Sequence, residues 1–420
     1  MGKRKQAKGN VPMRLLLVVS RSDYFWSHRA SLARWARRAG FEVHVAARQV
    51  TNVERFARVG LHFHPVDLPR GMRRPLAQLV AVGRLAALYR QLRPDIVHHL
   101  SVQAIVVGGL AARLARLPCV VHGFTGLGAL GTLGASRTSY HLAWRLLKWA
   151  WASHHFAIFQ NRNDLADCVS RGIGDGKHAA VIRSSGVDVR RFYPSPPDGD
   201  PIVLLAGRLI WPKGVAEFVE AARRVKARFP TARFVVVGTP DPDNGCACSA
   251  EWLAHQHRTG VIEWWGHRDD MASVYQEAAV VALPSWYGEG VPKVLLEAAA
   301  SGRPLVATGH RGCREVVLPG RTGYRVPPRR PDQLADAIER LLEDAELRER
   351  MGRQARALAV SQFNDRLVAR KTIDVYFRCL ETSRQRSTFS GGTRSTARDV
   401  AESFPGALEP FDLHTLDEAA

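Results

Sequence analysis

The sequence lacks a hydrophobic run long enough to cross a membrane. The longest weakly polar stretch, residues 100–112, is about half of the roughly 20 residues that a spanning helix needs. The apolar run 15–19 is too short for the core of a signal peptide and is soon followed by Arg21 and Asp23. Gly2 also lacks the Ser or Thr at position 6 that N-myristoylation prefers. We therefore expect a cytoplasmic protein that is able to lie on the inner face of the membrane.

Cysteine is scarce and poorly spaced for binding a metal. Of the 6 cysteines in 420 residues, only Cys246 and Cys248 stand close together, and no second pair with zinc spacing accompanies them. We therefore expect free thiols in a reducing compartment. A Ser-His-Asp set or another strong nucleophile motif is also missing, so the sequence does not indicate covalent catalysis.

Negative charge is scarce in the first half of the chain. Up to Pro197 there are 30 Lys and Arg against 9 Asp and Glu, whereas the rest carries 30 of each, so the net charge of +21 lies in the first half. Such a half suits nucleic acid, an anionic membrane or an acidic substrate. No known nucleic-acid-binding module is present. Residues 70–84 interleave arginine with apolar residues, which favours a membrane interface, although a solvated helix face is the alternative.

Short apolar runs alternate with helical patterns along most of the chain. The alternation begins near Met13 and restarts at Ile202, which predicts an α/β protein with two parallel, doubly wound sheets. A Pro-rich segment at 194–199 separates the two halves. Two such domains form a cleft at the carboxyl ends of their strands. The predicted divisions are a basic extension (1–12), a first domain (13–193), a linker (194–201), a second domain (202–362), a crossover helix (363–384) and a disordered tail (385–420).

Two carboxylates, Glu289 and Glu297, have seven residues between them. The apolar run 279–284 precedes the pair and predicts a buried strand. The following residues predict a helix, with Pro292 near its first turn and Gly302 just past its end. Glu289 would then lie in the loop at the helix N-terminus, and Glu297 about two turns further along.

The start of this helix is suited to an anion. The free amides of Gly290 and Val291 would point out of the helix N-terminus, where a phosphate is favoured. Carboxylates beside a phosphate are costly unless they accept hydrogen bonds from hydroxyls. A sugar nucleotide offers hydroxyls on both sides of its diphosphate, from the ribose and from the transferred sugar.

A second motif follows residue 202. The run 202–206 predicts a buried strand, Gly207 a turn, and Arg208 and Lys213 stand five positions apart before a helix. Arginine offers a planar fork to phosphate oxygens and lysine a point charge. Either residue alone is usually solvated surface. Together with the carboxylate pair they indicate a diphosphate site.

These motifs resemble the retaining GT-B glycosyltransferases of family 4. The resemblance covers residues 13–363, and within the family it is most similar to bacterial transferases that extend lipid-linked sugars in polysaccharide or glycan assembly. The stretches that support this subgroup are 27–29, 109–113, 125–128, 159–161, 185–188, 240–244, 266–270 and 312–315. The resemblance implies a nucleotide-sugar donor, UDP-linked by expectation, and a polyprenyl-diphosphate-linked acceptor. Together with the basic first half, it leads us to expect an anionic membrane surface as partner, and the missing nucleic-acid module leads us to expect no nucleic acid.

The resemblance also implies roles for residues on the donor side. Arg208 and Lys213 would stabilise the leaving diphosphate. Glu289 would hold hydroxyls of the donor sugar, and Glu297 would accept hydrogen bonds from the ribose. The other expected donor-binding residues are Gly207, Gly290, Val291 and Thr125. Many members of the family carry a histidine near the position of Thr125, whereas here His122 comes three residues earlier, which leaves that contact open.

On the acceptor side, Ser27, His28 and Arg29 would lie in the loop after the first strand and contact the acceptor diphosphate, and a histidine of the surface or core is the alternative for His28. Asn161 is interpreted as the cap of the following helix. The pair at 241 and 243 resembles the metal-binding Asp-x-Asp of other glycosyltransferases. We interpret it as a turn, because the resembled family requires no metal, and we expect no cofactor.

The resemblance implies attack on the same face that the leaving group departs from, with the leaving phosphate helping to deprotonate the acceptor hydroxyl. The protein then supplies orientation, charge stabilisation and exclusion of water on closure. Two other functions stay open at this point. One is a GT-B epimerase acting on a free UDP-sugar, and the other is a non-enzymatic nucleic-acid-binding protein that uses the basic half.

Overall fold

The computed structural model describes residues 12–69, 75–127, 137–175, 177–241, 244–286, 288 and 290–390. Within these ranges the chain forms two parallel β-sheets, each flanked by helices. The predicted fold class, two doubly wound α/β domains, is confirmed. Among the helices of the described ranges, none combines the length and apolarity that crossing a bilayer requires.

The first sheet has seven strands in the order β3-β2-β1-β4-β5-β6-β7. They are β1 (Arg14–Arg21), β2 (Glu42–Arg48), β3 (His62–Pro65), β4 (Ile96–Leu100), β5 (Val120–Phe124), β6 (Phe156–Phe159) and β7 (Ala179–Val181). Because the strands are parallel, each connection must cross back over the sheet. The described helices in these connections are α1 (Ser22–His28), α2 (Ala30–Arg38), α3 (Glu54–Arg58), α4 (Pro75–Leu92), α5 (Val102–Ala115), α6 (Arg137–Ala150) and α7 (Arg162–Val169).

The second sheet has six strands in the order β10-β9-β8-β11-β12-β13, again all parallel. They are β8 (Ile202–Ala206), β9 (Arg233–Val237), β10 (Glu263–Gly266), β11 (Ala278–Leu283), β12 (Leu305–Thr308) and β13 (Gly323–Val326). The helices are α8 (Val215–Arg228), α9 (Ala250–Arg258), α10 (Met271–Glu277), α11 (Lys293–Ala300), α12 (Pro331–Glu343), α13 (Ala345–Phe363) and α14 (Asp365–Ser390).

The apolar strands are buried because helices cover both faces of each sheet. In β8, Ile202 and Leu204 pack into one hydrophobic core, whereas Val203 and Leu205 pack into another on the opposite face. This alternation is the period of two that a strand imposes on its side chains. The first sheet separates two cores in the same way.

The chain crosses between the domains at two adjacent points. The N–H of Val187 donates to the carbonyl of Phe363 at 2.9 Å, and the N–H of Asp365 donates to the carbonyl of Val187 at 2.9 Å. Val187 and Phe192 already belong to a core of the second domain. The Pro-rich segment 194–199 therefore follows the crossing.

Helix α14 returns to the first domain, where Val375 and Tyr376 pack into its core. The helix continues to Ser390, so residues 385–390, which the sequence assigned to a disordered tail, are helical. Adding a turn to an existing helix costs little compared with nucleating one, and composition alone does not reveal this extension. Residues 1–11 of the basic extension and the tail 391–420 lie outside the described residues.

The placement of Ser27 and His28 in a loop was wrong, because both belong to α1. Arg29 separates α1 from α2. Helix α1 begins after Arg21 without a side-chain cap, so the usual start signal is missing. Burial of Phe25, which is 0% exposed, holds the helix against the sheet.

The expectation of free thiols was wrong for two cysteines. Cys119, just before β5, and Cys379 on α14 are paired as a disulfide, with their Cα atoms 5.7 Å apart. Their separation of 260 residues hides this pairing, since it depends on α14 packing against the first sheet. The other cysteines remain thiols.

Candidate active site

The carboxyl ends of the strands in the two sheets face each other across a narrow cleft. Gln160, directly after β6, accepts a hydrogen bond at Oε1 from the N–H of Val291, at 3.1 Å. Gly290 lies against the loop after β5, and a Cβ at this position would be 2.2 Å from the carbonyl oxygen of Thr125. Because no side chain fits there, glycine at this position allows the two domains to close on each other.

The turn after β8 brings a second segment to the cleft. Gly207 has φ +142° and Gly214 has φ +81°, conformations that other residues rarely adopt. At Gly214 a Cβ would lie 2.3 Å from the carbonyl oxygen of Pro284, which follows β11. This close approach packs the turn against the end of β11 and fixes the positions of Arg208 and Lys213.

The Arg208 side chain is oriented by a buried carboxylate. Its Nη1 lies 3.3 Å from Oδ2 of Asp241, which is 8% exposed, whereas Arg208 itself is 56% exposed. The N–H of Asn244 donates to the carbonyl of Asp241 at 2.9 Å, and Asp243, the second residue of the predicted turn, lies outside the described residues. Asp241 thus holds the guanidinium group of Arg208 at the cleft.

His28 faces this turn from the first domain. Its ring stacks on Tyr24 with centroids 4.5 Å apart, and Oγ of Ser27 lies 2.7 Å from its Nδ1. Nζ of Lys293, the first residue of α11, donates to the carbonyl of Ser27. The end of α1 and the start of α11 are therefore in direct contact.

The electrostatics of His28 show which cations converge here. Burial, together with Lys293, Arg29, Arg208 and Lys213, holds the pKa of His28 well below its ordinary value. The ring is therefore uncharged at neutral pH, because protonation would add a charge beside four cations. Since these cations come from both domains, the cleft is strongly attractive to an anion.

Arg29 is buried beneath this surface. It is 7% exposed, and within the described part of the chain its Nε has no hydrogen-bond partner. Beside it, Nδ1 of His98 lies 2.6 Å from the Tyr376 hydroxyl, whereas Nε2 of His98 has no partner among the described residues. Arg29 and His98 line a small pocket with Gln160 and Thr125. The guanidinium Nε of Arg29 and the ring Nε2 of His98 therefore lie beside the cleft without a hydrogen-bond partner among the described residues. Buried polar groups without partners are costly, which points to a ligand or water as their partner.

Glu297 lies on α11 with most of its side chain buried. The Tyr275 hydroxyl donates to its Oε2 at 3.2 Å, and Nζ of Lys293 lies 3.8 Å from its Oε1. Burial raises the pKa of Glu297, although the positive charge of Lys293 acts to lower it. Burial also lowers the pKa of Lys293. Among the described residues, Tyr275 and Lys293 are its partners, so the carboxylate is held in a fixed orientation and keeps capacity to accept further hydrogen bonds.

The structure brings most of the predicted site residues to one cleft. It places Arg208, Lys213, Gly207, Gly290, Val291, Glu297, Thr125, Ser27, His28 and Arg29 along its two walls. Glu289 lies outside the described residues. His122 is 0% exposed within β5 and contacts other histidines, so it does not line the cleft. Asn161 caps α7 as predicted, since its side chain accepts from the N–H of Asp164 at 2.8 Å.

Sequence reasoning missed several residues of the cleft. Lys293 was detectable, because it stands four positions before Glu297 on the same helix face. Gln160, Tyr275 and His98 carry no local signal, since their roles arise from contacts between distant parts of the chain. Similarly, Arg311 of the second domain pairs with Asp164 and Asp167 of α7 at 3.1 and 2.7 Å, which adds an ionic link across the domains.

Comparison with family models covers both domains. Residues 14–161 match the model described as glycosyl transferase 4-like, and residues 200–344 match the model described as glycosyl transferases group 1. Solved structures agree on the fold. The Anabaena protein HepE in complex with UDP and glucose superposes with a TM-score of 0.72 at 20% identity, over 87% of this chain and 100% of that one. Sucrose-phosphate synthase from Thermosynechococcus elongatus gives 0.73 at 19% identity, over 88% and 99%.

Curated relatives are similar over most of the chain. The N,N'-diacetylbacillosaminyl-diphospho-undecaprenol alpha-1,3-N-acetylgalactosaminyltransferase of Campylobacter jejuni is 27% identical, over 81% of this chain and 92% of that protein. The UDP-Gal:alpha-D-GlcNAc-diphosphoundecaprenol alpha-1,3-galactosyltransferase of Escherichia coli is 28% identical, over 67% and 75%. With the fold, the two family models and these relatives in agreement, the chain belongs to the family-4-like, group 1 glycosyltransferases of the GT-B fold and is a glycosyltransferase.

Proposed function

We propose that this glycosyltransferase moves a sugar, with retention of configuration, from a UDP-sugar to a saccharide linked to a polyprenyl diphosphate. One observation carries the proposal: Lys293 of the second domain contacts the Ser27 carbonyl, and Arg208 and Lys213 approach His28, beside which Arg29 of the first domain is buried. A cleft with cations on both walls suits a reaction in which donor and acceptor each carry a diphosphate. The names of the Campylobacter and Escherichia coli relatives, both of which act on undecaprenyl-diphosphate-linked sugars, support this acceptor class.

The donor diphosphate would bind to the second domain, residues 202–362. Arg208, held by Asp241, and Lys213 would neutralise the charge that develops on the leaving diphosphate. The N–H of Val291 would donate to the same group. In the closed structure this N–H is paired with the side-chain carbonyl of Gln160, which occupies the position that a phosphate oxygen would take.

The hydroxyls on either side of the diphosphate would be held by the two carboxylates. Glu297 keeps acceptor capacity beside Tyr275 and Lys293, and it would bind the ribose hydroxyls. Glu289 would bind hydroxyls of the transferred sugar, a role that rests on the spacing of the two carboxylates. The leaving phosphate would take the proton of the attacking hydroxyl on the same face, so that the protein supplies charge stabilisation and orientation.

The acceptor would bind to the first domain, residues 13–193. The unsatisfied Nε of Arg29 and Nε2 of His98 border a pocket that has room for about one water molecule, and the acceptor diphosphate would reach these groups through such a water. Ser27 and the uncharged ring of His28 would contact the acceptor at the mouth of that pocket. Desolvated pairs of this kind are stronger than exposed ones, because water no longer competes.

The outer face of α4 would hold the protein on the inner surface of a membrane. Leu76, Leu79 and Val80 are 77%, 66% and 53% exposed, and Arg84 is exposed on the same helix. Apolar side chains with a neighbouring arginine suit the boundary between headgroups and acyl chains. The net charge of the first half adds attraction to anionic lipid. Arg70, Arg73 and Arg74, which precede α4, lie outside the described residues.

A panel of donors and acceptors tests the proposal directly. Purified protein is incubated with UDP-, GDP- and ADP-sugars against undecaprenyl-diphosphate-linked saccharides or the same saccharides without lipid, and products are read by mass spectrometry. We expect transfer from a UDP-sugar to the lipid-linked acceptor, with an anomeric configuration that NMR shows to be retained. Efficient transfer to the free saccharide, epimerisation of the UDP-sugar, or an inverted product would contradict the corresponding part of the proposal.

A further inference from the structure

Outside the cleft, three metal-binding side chains meet at the edge of the first sheet. His44 on β2 and His62 on β3 are register partners in the parallel pair, so they lie on the same face of the sheet. Glu42 stands two residues before His44 and therefore shares that face. The two imidazole rings stack with centroids 4.6 Å apart and an angle of 23° between their planes.

The donor atoms of these side chains point toward one another. Oε1 of Glu42 lies 3.1 Å from Nε2 of His44 and 3.6 Å from Nε2 of His62. All three donor atoms lie within 4.8 Å of one another. Ligands bound to a tetrahedral zinc at about 2.0–2.2 Å stand roughly 3.4 Å apart, so small side-chain movements would close the site on an ion.

Neighbouring residues hold two of the ligands in this orientation. Nδ1 of His44 lies 3.0 Å from Nε2 of His64, which engages one ring nitrogen and turns the other toward the cluster. Arg14 Nε donates to Oε2 of Glu42 at 3.2 Å, which leaves Oε1 for the cluster. Outer partners of this kind fix ring orientation and carboxylate geometry in known metal sites.

We propose that Glu42, His44 and His62 bind a divalent transition metal, with Zn²⁺ the best match to a His₂–carboxylate set. Solvent would complete the coordination, because the His62 side chain is 57% exposed.

The metal would stabilise structure rather than take part in sugar transfer. Glu42 and His62 begin their strands, whereas the cleft lies at the opposite, carboxyl ends. β3 is a four-residue strand at the edge of the sheet and pairs only with β2 among the described strands. An ion between the two strands would tie this short edge strand to its neighbour.

Titration of the full-length, EDTA-treated protein with Zn²⁺ alone tests the site by calorimetry, and Co²⁺ absorption reports the ligand atoms. We expect one strong equivalent, a spectrum of nitrogen and oxygen ligands, and a rise in melting temperature on the order of 5 °C at saturation. Affinity should fall more than about 100-fold in His62→Ala and in Glu42→Gln. In His64→Ala, which removes only the support of His44, it should fall by about 10- to 100-fold.

His267→Ala is the matched control. His267 also pairs with a carboxylate, Asp269, at 3.3 Å on the surface, but among the described residues it does not belong to a group of three metal-binding side chains. It should bind Zn²⁺ like the unaltered protein. His62 is exposed, so His62→Ala should fold, and Glu42→Gln provides a second variant of nearly unchanged shape. Absence of strong binding, a thiolate charge-transfer band with Co²⁺, or equal affinity in His62→Ala and the unaltered protein would overturn the proposal.

Discussion

The two domains share an architecture but differ in what their central strands bury. In the second domain, β8 and β11 consist of aliphatic residues and pack into purely hydrophobic cores. In the first domain, β4 and β5 carry His98, His99 and His122, all buried. A parallel sheet covered on both faces therefore tolerates polar residues in its centre when each side chain has at least one hydrogen-bond partner.

Three of the buried histidines, His99, His122 and His155, form a hydrogen-bonded chain with one direction. The N–H of Ala152 donates to Nδ1 of His155 at 3.2 Å, so that nitrogen is an acceptor. His122 must then donate from Nε2 to His155 at 2.9 Å, and His99 must donate from Nδ1 to His122 at 3.2 Å. The Tyr89 hydroxyl completes the chain by donating to Nε2 of His99 at 2.9 Å. Each imidazole is thereby fixed as a neutral tautomer.

The largest effect we expect comes from obstructing the contact that joins the domains. In Gly290→Ala, the new methyl would meet the carbonyl of Thr125 and Oε1 of Gln160, so the two walls of the cleft would move apart. A displacement of about 1 Å in a catalytic site costs on the order of 10²-fold in rate, and we expect at least that loss of transfer. Gly245→Ala, where a Cβ has open space around it, is the control, and steady-state kinetics on both variants is the measurement. Full activity in Gly290→Ala would show that transfer does not require this closed contact.

Substitutions on the two walls should separate donor use from acceptor use. Arg208→Ala would remove the proposed charged contact to the donor diphosphate, and it should lower kcat/KM for the donor about 10- to 100-fold while the protein stays folded. Arg228→Ala is its control, because Arg228 makes a comparable ion pair with Glu339, at 3.1 Å, on the surface of the same domain.

Arg29→Lys keeps the charge but loses the planar fork, so we expect a higher KM for the acceptor and unchanged donor hydrolysis. If Arg208→Ala and Arg29→Lys changed the donor kcat/KM and the acceptor KM to the same extent, the assignment of Arg208 to the donor and Arg29 to the acceptor would be wrong.

The first domain should lose stability in acid while the second keeps it. Burial holds the pKa values of His99, His122 and His155 far below the value of about 6.5 for an unfolded histidine. The unfolded chain therefore binds more protons below that pH, so stability is complete above about pH 6.5 and falls as the pH drops. The three rings together contribute up to about 4 kcal/mol per pH unit.

Limited proteolysis in urea at pH 7.5 and pH 5.5, with fragments identified by mass spectrometry, measures this difference between the domains. Fragments from β4 and β5 should appear at clearly lower urea at pH 5.5, whereas fragments from β8 and β11 should appear at nearly the same concentration. Tyr89→Phe removes the first donor of the chain without removing an imidazole, and it should lower the stability of the first domain at both pH values. Equal acid sensitivity of the two domains would show that the histidine chain is not the cause.

The same contrast explains which features the sequence predicts. Strands such as β8 and β11 are continuous apolar runs, and Gly207 directly follows β8, so the frame of the second domain and the turn that carries Arg208 and Lys213 follow from local pattern. The histidine chain, the Cys119–Cys379 pair and the contact of Gln160 with Val291 depend on residues far apart in the chain. Local patterns carry no information about such contacts.

The smallest effect we expect concerns the outer face of α4, which distinguishes the first domain from the second at the surface. Leu76→Ser with Leu79→Ser removes two largely exposed apolar side chains, so binding to anionic liposomes should fall several-fold and the remaining binding should be lost at high salt. Transfer to a lipid-linked acceptor should fall in parallel, whereas hydrolysis of the donor should not change, because α4 packs on a core of the first domain and Arg208 and Glu297 belong to the second. Val169→Ser, at a side chain that is 42% exposed on α7, is the control and should bind like the unaltered protein.

Cosedimentation with neutral and anionic liposomes at low and high salt is the measurement. Unchanged binding in the double variant would leave the basic charge of the first half, rather than the apolar face of α4, as the source of membrane attraction.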